Sequence, residues 1–175
     1  MTLTANLFGK TAFVTGAFSG LGGHFARVLA RAGADVIVAA RRLVALEALI
    51  AKLGRNACAL QLDVANEASI RAASNAAGPV DILVNNAGVT VQAVRAQTAA
   101  DFDYVINTNL RGAFVVATQI GRIMQTEAKG GSIITAAAIP RLRQGGHLAT
   151  YAICKAGIIQ MTKQRLWNWR GTASE

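Results

Sequence analysis

Acidic residues, cysteine, proline and aromatics are all scarce in this 175-residue chain, and each scarcity removes a class of explanation. Nine Asp and Glu stand against 18 Lys and Arg, a formal charge of +9. Such an excess raises the question of nucleic acid. The basic residues are scattered, however, aromatics make up only 6% of the chain, and the two local clusters, Arg41-Arg42 and Arg141-Leu142-Arg143, match no nucleic-acid motif. A binder resting on net charge alone is set aside, and no nucleic-acid partner is expected. The two cysteines, Cys58 and Cys154, are too few and too distant for a disulfide framework or a metal knuckle, and read as small buried hydrophobes. No His, Cys or carboxylate cluster has metal-ligand spacing, so no metal is expected. No apolar run reaches the roughly 18 residues that span a bilayer, and the start of the chain lacks the basic and apolar regions of a signal peptide. A cytoplasmic protein with no membrane partner is the expectation.

What the chain has in quantity is apolar residues, 53% of the total, enough for one well-buried domain over 1–175. They fall in short β-rich runs separated by longer helical stretches. Residues 11–14, 35–40, 57–64, 81–85 and 131–137 read as five strands, with crossover helices between them. Runs such as Val36-Ile37-Val38-Ala39-Ala40 and Asp81-Ile82-Leu83-Val84 are apolar throughout rather than alternating. Strands of that kind are buried on both faces, which predicts a parallel sheet covered by helices, the doubly wound Rossmann-type α/β fold.

Two local patterns carry chemistry. After the first strand comes Thr15-Gly16-Ala17-Phe18-Ser19-Gly20-Leu21-Gly22, opening a helix predicted over 20–32. Glycines in such a turn let the backbone approach a pyrophosphate, and the helix N-terminus favours its charge. Far downstream, Tyr151 and Lys155 stand four residues apart; on a helix, phenol and ammonium then share a face. A cation held there favours the ionised phenol, bringing a group that normally titrates near pH ~10 towards neutrality. That equips an acid/base for carbonyl or alcohol redox chemistry.

Glycines at 16, 20 and 22 have the Thr-Gly-x-x-x-Gly-x-Gly spacing of the short-chain dehydrogenase/reductase family, and further motifs follow in order. Asp63-Val64 resembles the family's Asp-Val at the adenine. Asn85-Asn86-Ala87-Gly88 resembles its Asn-Asn-Ala-Gly, which supports the sheet and lines the cofactor. Asn109 matches the helix asparagine whose backbone holds a water in the proton relay, and Tyr151 and Lys155 match Tyr-x-x-x-Lys. The chain resembles the family from about residue 7 to Gln164, and most of all its 3-oxoacyl-carrier-protein reductase-like branch.

The resemblance implies hydride transfer between a nicotinamide and a small-molecule carbonyl or alcohol. Tyr151 exchanges the proton with the substrate oxygen, Lys155 lowers its pKa and holds the nicotinamide ribose, and Asn109 completes the catalytic set. The cofactor-binding residues it implies are Gly16, Ser19, Gly20, Leu21, Gly22, Asp63, Val64, Asn86, Ala87 and Gly88, with Tyr151 and Lys155. The second strand ends in Ala39-Ala40-Arg41-Arg42, with no acid to reject a 2′-phosphate and two guanidiniums to pair with it, so Arg41 and Arg42 favour NADP(H) over NAD(H). The family's helices corresponding to those starting near Thr98 and Thr150 form dimer and tetramer contacts, implying a homodimer or homotetramer.

Two departures qualify this. Thirteen residues before the tyrosine the family has a serine that donates to the substrate oxygen; here the position is Ala138, and Thr135, by strand alternation, faces the other way. Loss of such a donor costs on the order of 10²–10³ in turnover. Beyond Gln164, residues 165–175 abandon the family pattern. With permitted codons they read, in a shifted frame, Ala-Val-Glu-Leu-Ala-Arg-His-Gly-Ile-Gly, which is family-like; a frameshift ending the fold after the fifth strand and its following helix is the expectation. The alternatives are therefore an impaired oxidoreductase and a nucleotide-binding or scaffold homologue without catalysis.

Overall fold

The computed structural model describes residues 5–91, 97–126, 130–138 and 148–169, the side chains of 165–169 excepted. Five strands, β1 (Thr11–Thr15), β2 (Asp35–Ala40), β3 (Ala57–Gln61), β4 (Ile82–Asn85) and β5 (Ser132–Thr135), form one sheet in the order β3-β2-β1-β4-β5, every pair parallel. Helices α1 (Gly20–Arg31), α2 (Val44–Leu53), α3 (Glu67–Ala77), α4 (Ala99–Ile106), α5 (Ala113–Thr126) and α6 (Ala149–Trp169) cover it. The strand order turns outward from β1 in both directions. That is the doubly wound Rossmann-type arrangement, with its crevice at the β1/β4 switch point.

Successive residues of the central strands serve opposite faces, as the two-residue period requires. Phe13, Ile37 and Leu83 join Ile70, Val116 and Ile120 on one side, while Ala12, Val14, Val36, Val38 and Val84 join Leu46 on the other. Each face buries its own layer. The continuous apolar runs thus follow from two cores sharing one sheet.

β1 runs one residue longer than expected, to Thr15, and three strands are shorter, at ends where a polar side chain bonds backbone groups beside the ladder. β3 stops at Gln61 rather than 64: the Asp63 carboxylate accepts the Ala65 N–H at 3.0 Å, and the Asp63 N–H donates to the Ser69 hydroxyl at 2.9 Å, turning the chain into α3. β4 begins at Ile82, because Asp81 spends its carboxylate on the Thr11 N–H (2.9 Å) and Lys10 (2.8 Å). β5 covers only 132–135. The Ala136 N–H still donates to the Asn85 carbonyl at 3.0 Å, but the Ala136 carbonyl is taken by Lys155. Strand alternation therefore does not extend from Thr135 to Ala138.

Between α4 and α5 the helix widens into a π-helical segment, Asn107–Gly112, which the sequence reading did not foresee. Its sharpest packing demand is at Gly112, where a Cβ would lie 2.5 Å from the Val64 carbonyl oxygen. α4 starts in a capping box: Thr98 accepts the Asp101 N–H at 3.1 Å and the Asp101 carboxylate accepts the Thr98 N–H at 3.0 Å, which holds the carboxyl below its usual value. Among the described residues no helix is long and apolar enough to cross a membrane.

Candidate active site

The crevice is built around Thr15, the last residue of β1, which is fully buried. Its hydroxyl accepts the N–H groups of Asn86 and Ala87, both at 3.0 Å, and so ties the end of β4 to the start of the glycine turn. The Asn86 amide donates to the Thr15 and Gly16 carbonyls at 3.2 and 3.3 Å, and the Asn85 amide to the Ala113 carbonyl at 2.7 Å. The two asparagines divide the labour: one anchors the sheet to α5, the other shapes the turn. Thr15 opens the Thr-Gly-x-x-x-Gly-x-Gly run noted in sequence, but that spacing did not show that its hydroxyl would tie β4 to the turn.

Close approach dictates two of the glycines. A Cβ on Gly16 would meet the Ala87 Cα at 2.8 Å, and one on Gly22 would meet the Gly16 carbonyl oxygen at 2.3 Å and the Asn86 amide nitrogen at 2.6 Å. Gly16 and Gly20 also have φ of +65° and +56°, the left-handed region. The N-terminus of α1 carries no acidic residue in its first turn, and its N-cap Ser19 makes no side-chain capping bond. The space over Gly20 is open. These features fit an anionic group on the helix N-terminus, as a dinucleotide pyrophosphate would be.

A cleft of about 530 Å³ lies over this turn. Of the residues expected at the cofactor, Gly16, Ser19, Leu21, Arg41, Asp63, Val64, Asn86, Ala87 and Gly88 line it. Gly20 and Gly22 shape the turn beneath. Arg42 is held at the rim with its guanidinium 5.2 Å from the centroid of the Phe18 ring, and Phe18 is itself a lining residue. A second cleft, about 420 Å³, is lined by Tyr151, Lys155, Ala136, Ala137, Leu148 and Thr90. Leu21, Asn86, Gly88 and Val89 line both, so the clefts share a wall.

α6 does carry Tyr151 and Lys155 on one face: the Lys155 Nζ lies 5.5 Å from the Tyr151 ring centroid. The electrostatic expectation is nevertheless corrected. Burial, and secondarily the Cys154 thiol, push the Tyr151 phenol above its ordinary value rather than towards neutrality. Burial also pushes the Lys155 ammonium down, and that ammonium donates to the Ala136 carbonyl at 2.5 Å. Burial is the larger cause for both groups. Tyr151 is thus protonated throughout the neutral range, the state that a proton donor needs.

Asn109 lies outside both cleft linings. It is fully buried in the π-helical segment, and its side-chain amide grips Val89 from both sides, donating to the carbonyl and accepting the N–H, each at 2.7 Å. What geometry gives this residue is a hold on the shared wall. π-Helical turns recur at functional sites.

Residues 10–170 match the family model described as short chain dehydrogenase. The chain belongs to this family. Sorbitol dehydrogenase of Cereibacter sphaeroides is 35% identical over 162 residues, covering 90% of this chain and 63% of that protein. The 3-oxoacyl-[acyl-carrier-protein] reductase of Escherichia coli K12 is 36% identical over 163 residues, covering 90% and 66%. Among solved structures, a 3-ketoacyl-(acyl-carrier-protein) reductase from Brucella melitensis complexed with NADH superposes with a TM-score of 0.86 at 31% identity, covering 91% of this chain and 69% of that one. The chain therefore spans somewhat under two thirds of the curated relatives it matches first.

Within the family framework, Ala138 is half-buried beyond β5, and no hydroxyl stands at that position. Arg141, Leu142 and Arg143, noted in sequence, and the residues from 170 onward lie outside the described residues. Among the described residues no group of three or more His, Cys, Asp or Glu side chains is arranged to hold a metal.

Proposed function

We propose that this family member is an oxidoreductase that moves a hydride between a nicotinamide cofactor, NADP(H) in preference to NAD(H), and a small carbonyl or alcohol. The observation that carries this reading is the shared wall: the cleft holding Tyr151 and Lys155 abuts the cleft over the glycine turn through Leu21, Asn86, Gly88 and Val89. Residues of that wall, with the glycine turn on one side and Tyr151 and Lys155 on the other, would hold a dinucleotide between them. The bound cofactor supplies the hydride. The chain's own residues do the rest. Glycines 16, 20 and 22 and the α1 N-terminus receive the pyrophosphate, and Asp63 and Val64 bound the adenine end. Tyr151 gives its proton to the carbonyl oxygen during reduction and takes one back during oxidation, and Lys155 holds the ribose. Arg41 in the cleft, and Arg42 braced over Phe18, support a 2′-phosphate.

The chain would be one dinucleotide-binding domain working in the cytoplasm as a homo-oligomer; the family match runs to residue 170, past the 164 expected from sequence. Exposed Phe102, Phe114 and Ile153 on α4, α5 and α6 support self-association. The substrate classes of the relatives, a sugar alcohol and a carrier-bound 3-oxoacyl group, are the starting points for assay. A second reading, a nucleotide-binding protein without catalysis, is favoured by Ala138 alone.

The test is a titration with NADPH and NADH followed by ketone reduction. NADPH is expected to bind more tightly, and Arg41→Ala with Arg42→Ala to narrow the gap by about 1–3 kcal/mol. Tyr151→Phe is expected to abolish turnover while leaving NADPH binding in place. Equal affinities for the two cofactors would refute the preference, and an active Tyr151→Phe variant would remove Tyr151 from the chemistry.

A further inference from the structure

The cleft that holds Tyr151 lacks a hydroxyl at 138 but has one at 90. Thr90 lines that cleft together with Tyr151 and Lys155, and it is exposed rather than packed in the core. Its backbone is held on both sides by buried or half-buried amides. One residue earlier, Asn109 takes both the N–H and the carbonyl of Val89 at 2.7 Å. One residue later, the Gln97 amide donates to the Val91 carbonyl at 3.2 Å. Gln97 is fixed in turn, because its side-chain oxygen accepts the hydroxyl of Thr150, which is only 2% exposed and immediately precedes Tyr151. The short run from Val89 to Val91 is therefore strapped to the helix that carries the phenol. Strapping of this kind costs stability-neutral loop residues their freedom and gives a hydrogen-bond donor a defined place, which is what transition-state stabilisation requires.

We propose that Thr90 supplies the hydrogen bond to the substrate oxygen that Ala138 cannot, and that Gln97 is a positioning residue holding Thr90 in register with Tyr151. The inference rests on the oxidoreductase reading above. In the step itself the hydride goes to the carbonyl carbon and the Tyr151 proton to the carbonyl oxygen; the Thr90 hydroxyl donates a hydrogen bond to that oxygen and keeps its proton.

The experiment compares Thr90→Val, which removes the hydroxyl at nearly constant shape, with Thr90→Ser, which keeps it. One measurement is NADPH-dependent reduction of ethyl acetoacetate and cyclohexanone. The other needs no turnover: the dissociation constant of 2,2,2-trifluoroethanol, an unreactive alcohol, for the protein saturated with NADP⁺. Thr90→Val is expected to lower kcat by on the order of 10²-fold and to weaken trifluoroethanol about five- to tenfold, with NADPH affinity unchanged, while Thr90→Ser stays close to the unmodified protein. Adding Ala138→Ser to Thr90→Val is expected to restore most of both losses. Gln97→Leu is expected to lower kcat without raising the KM for NADPH. Trifluoroethanol affinity and turnover that ignore Thr90→Val overturn the proposal, as does an unmodified protein that binds NADPH tightly but turns over neither ketone. Failure of the underlying reading looks different: there Tyr151→Phe keeps its activity, or neither nicotinamide cofactor binds.

Discussion

The middle of the sheet and its β5 side are held by different forces. β1 and β2 are buried almost end to end, with apolar layers on both faces, whereas β5 alternates between exposed and half-buried residues and leaves Ile134 49% exposed. The glycine turn grows out of the first environment. The Tyr151 helix buries a narrower apolar strip, Cys154 and Ile158, and adds polar contacts to it: Lys155 to the Ala136 carbonyl, Thr150 to Gln97, and the Cys154 thiol to the Val105 carbonyl at 3.7 Å. The difference teaches that the glycine turn and the Tyr151 helix rest on separate supports. One is a two-faced packed core, and the other a narrow apolar strip supplemented by three hydrogen bonds.

Stability should expose the contrast most strongly. Leu83→Ala empties a fully buried site between β4 and α5 and is expected to cost about 2–5 kcal/mol in chemical denaturation, whereas Ile134→Ala on β5 should stay within about 1 kcal/mol. Comparable losses at the two sites would mean that β5 is covered in solution and that the contrast is not real.

A smaller, more local effect is expected at the turn. Gly22→Ala forces a methyl to 2.3 Å from the Gly16 carbonyl oxygen, so α1 must back away from the turn at a cost of roughly 1–3 kcal/mol. Because the same movement displaces the amides expected to face the pyrophosphate, NADPH affinity should fall by at least tenfold, and trifluoroethanol binding in saturating NADP⁺ should change little. An unaltered NADPH titration would separate the glycine turn from the cofactor.

The smallest effect concerns pH. Burial, then Cys154, raises the Tyr151 phenol, so its acid form persists beyond the ordinary tyrosine range near pH ~10. The rate of ketone reduction with bound NADPH should show no alkaline limb at neutral pH, and such a limb near pH ~7 would reinstate a phenol lowered by Lys155. The linked stability has the same sign. With the folded value above the unfolded one, the phenol's contribution is present below the unfolded pKa and is lost as pH rises through the folded one.

Much of the fold was legible because its signals are local and repeated. Val36 to Ala40 could only be a doubly covered strand, and Gly16, Gly20 and Gly22 could only be read as a turn opening a helix. The strand ends were less legible. Asp63, Asp81 and Lys155 each stop or delimit a ladder by bonding a partner, and which partner lies within reach depends on chain packing. The site divided in the same way. Tyr151 and Lys155 stood out by their spacing and Thr15 by the motif it opens, while Thr90 and Gln97 gain meaning only from what they touch.

By itself the sequence determined the class of fold, the strand that opens the crevice, the pairing of phenol with ammonium on one helical face, and the basic end of β2. All of these depend on period, residue type or spacing, which a chain carries before it folds. Only the tertiary structure decided the burial that raises the Tyr151 phenol, the grip of Asn109 on Val89, the bracing of Arg42 by Phe18, and the strap that links Gln97 to Thr150. Each of those depends on distances between residues tens of positions apart, or on how much water folding removes, and neither quantity is written in the order of the residues.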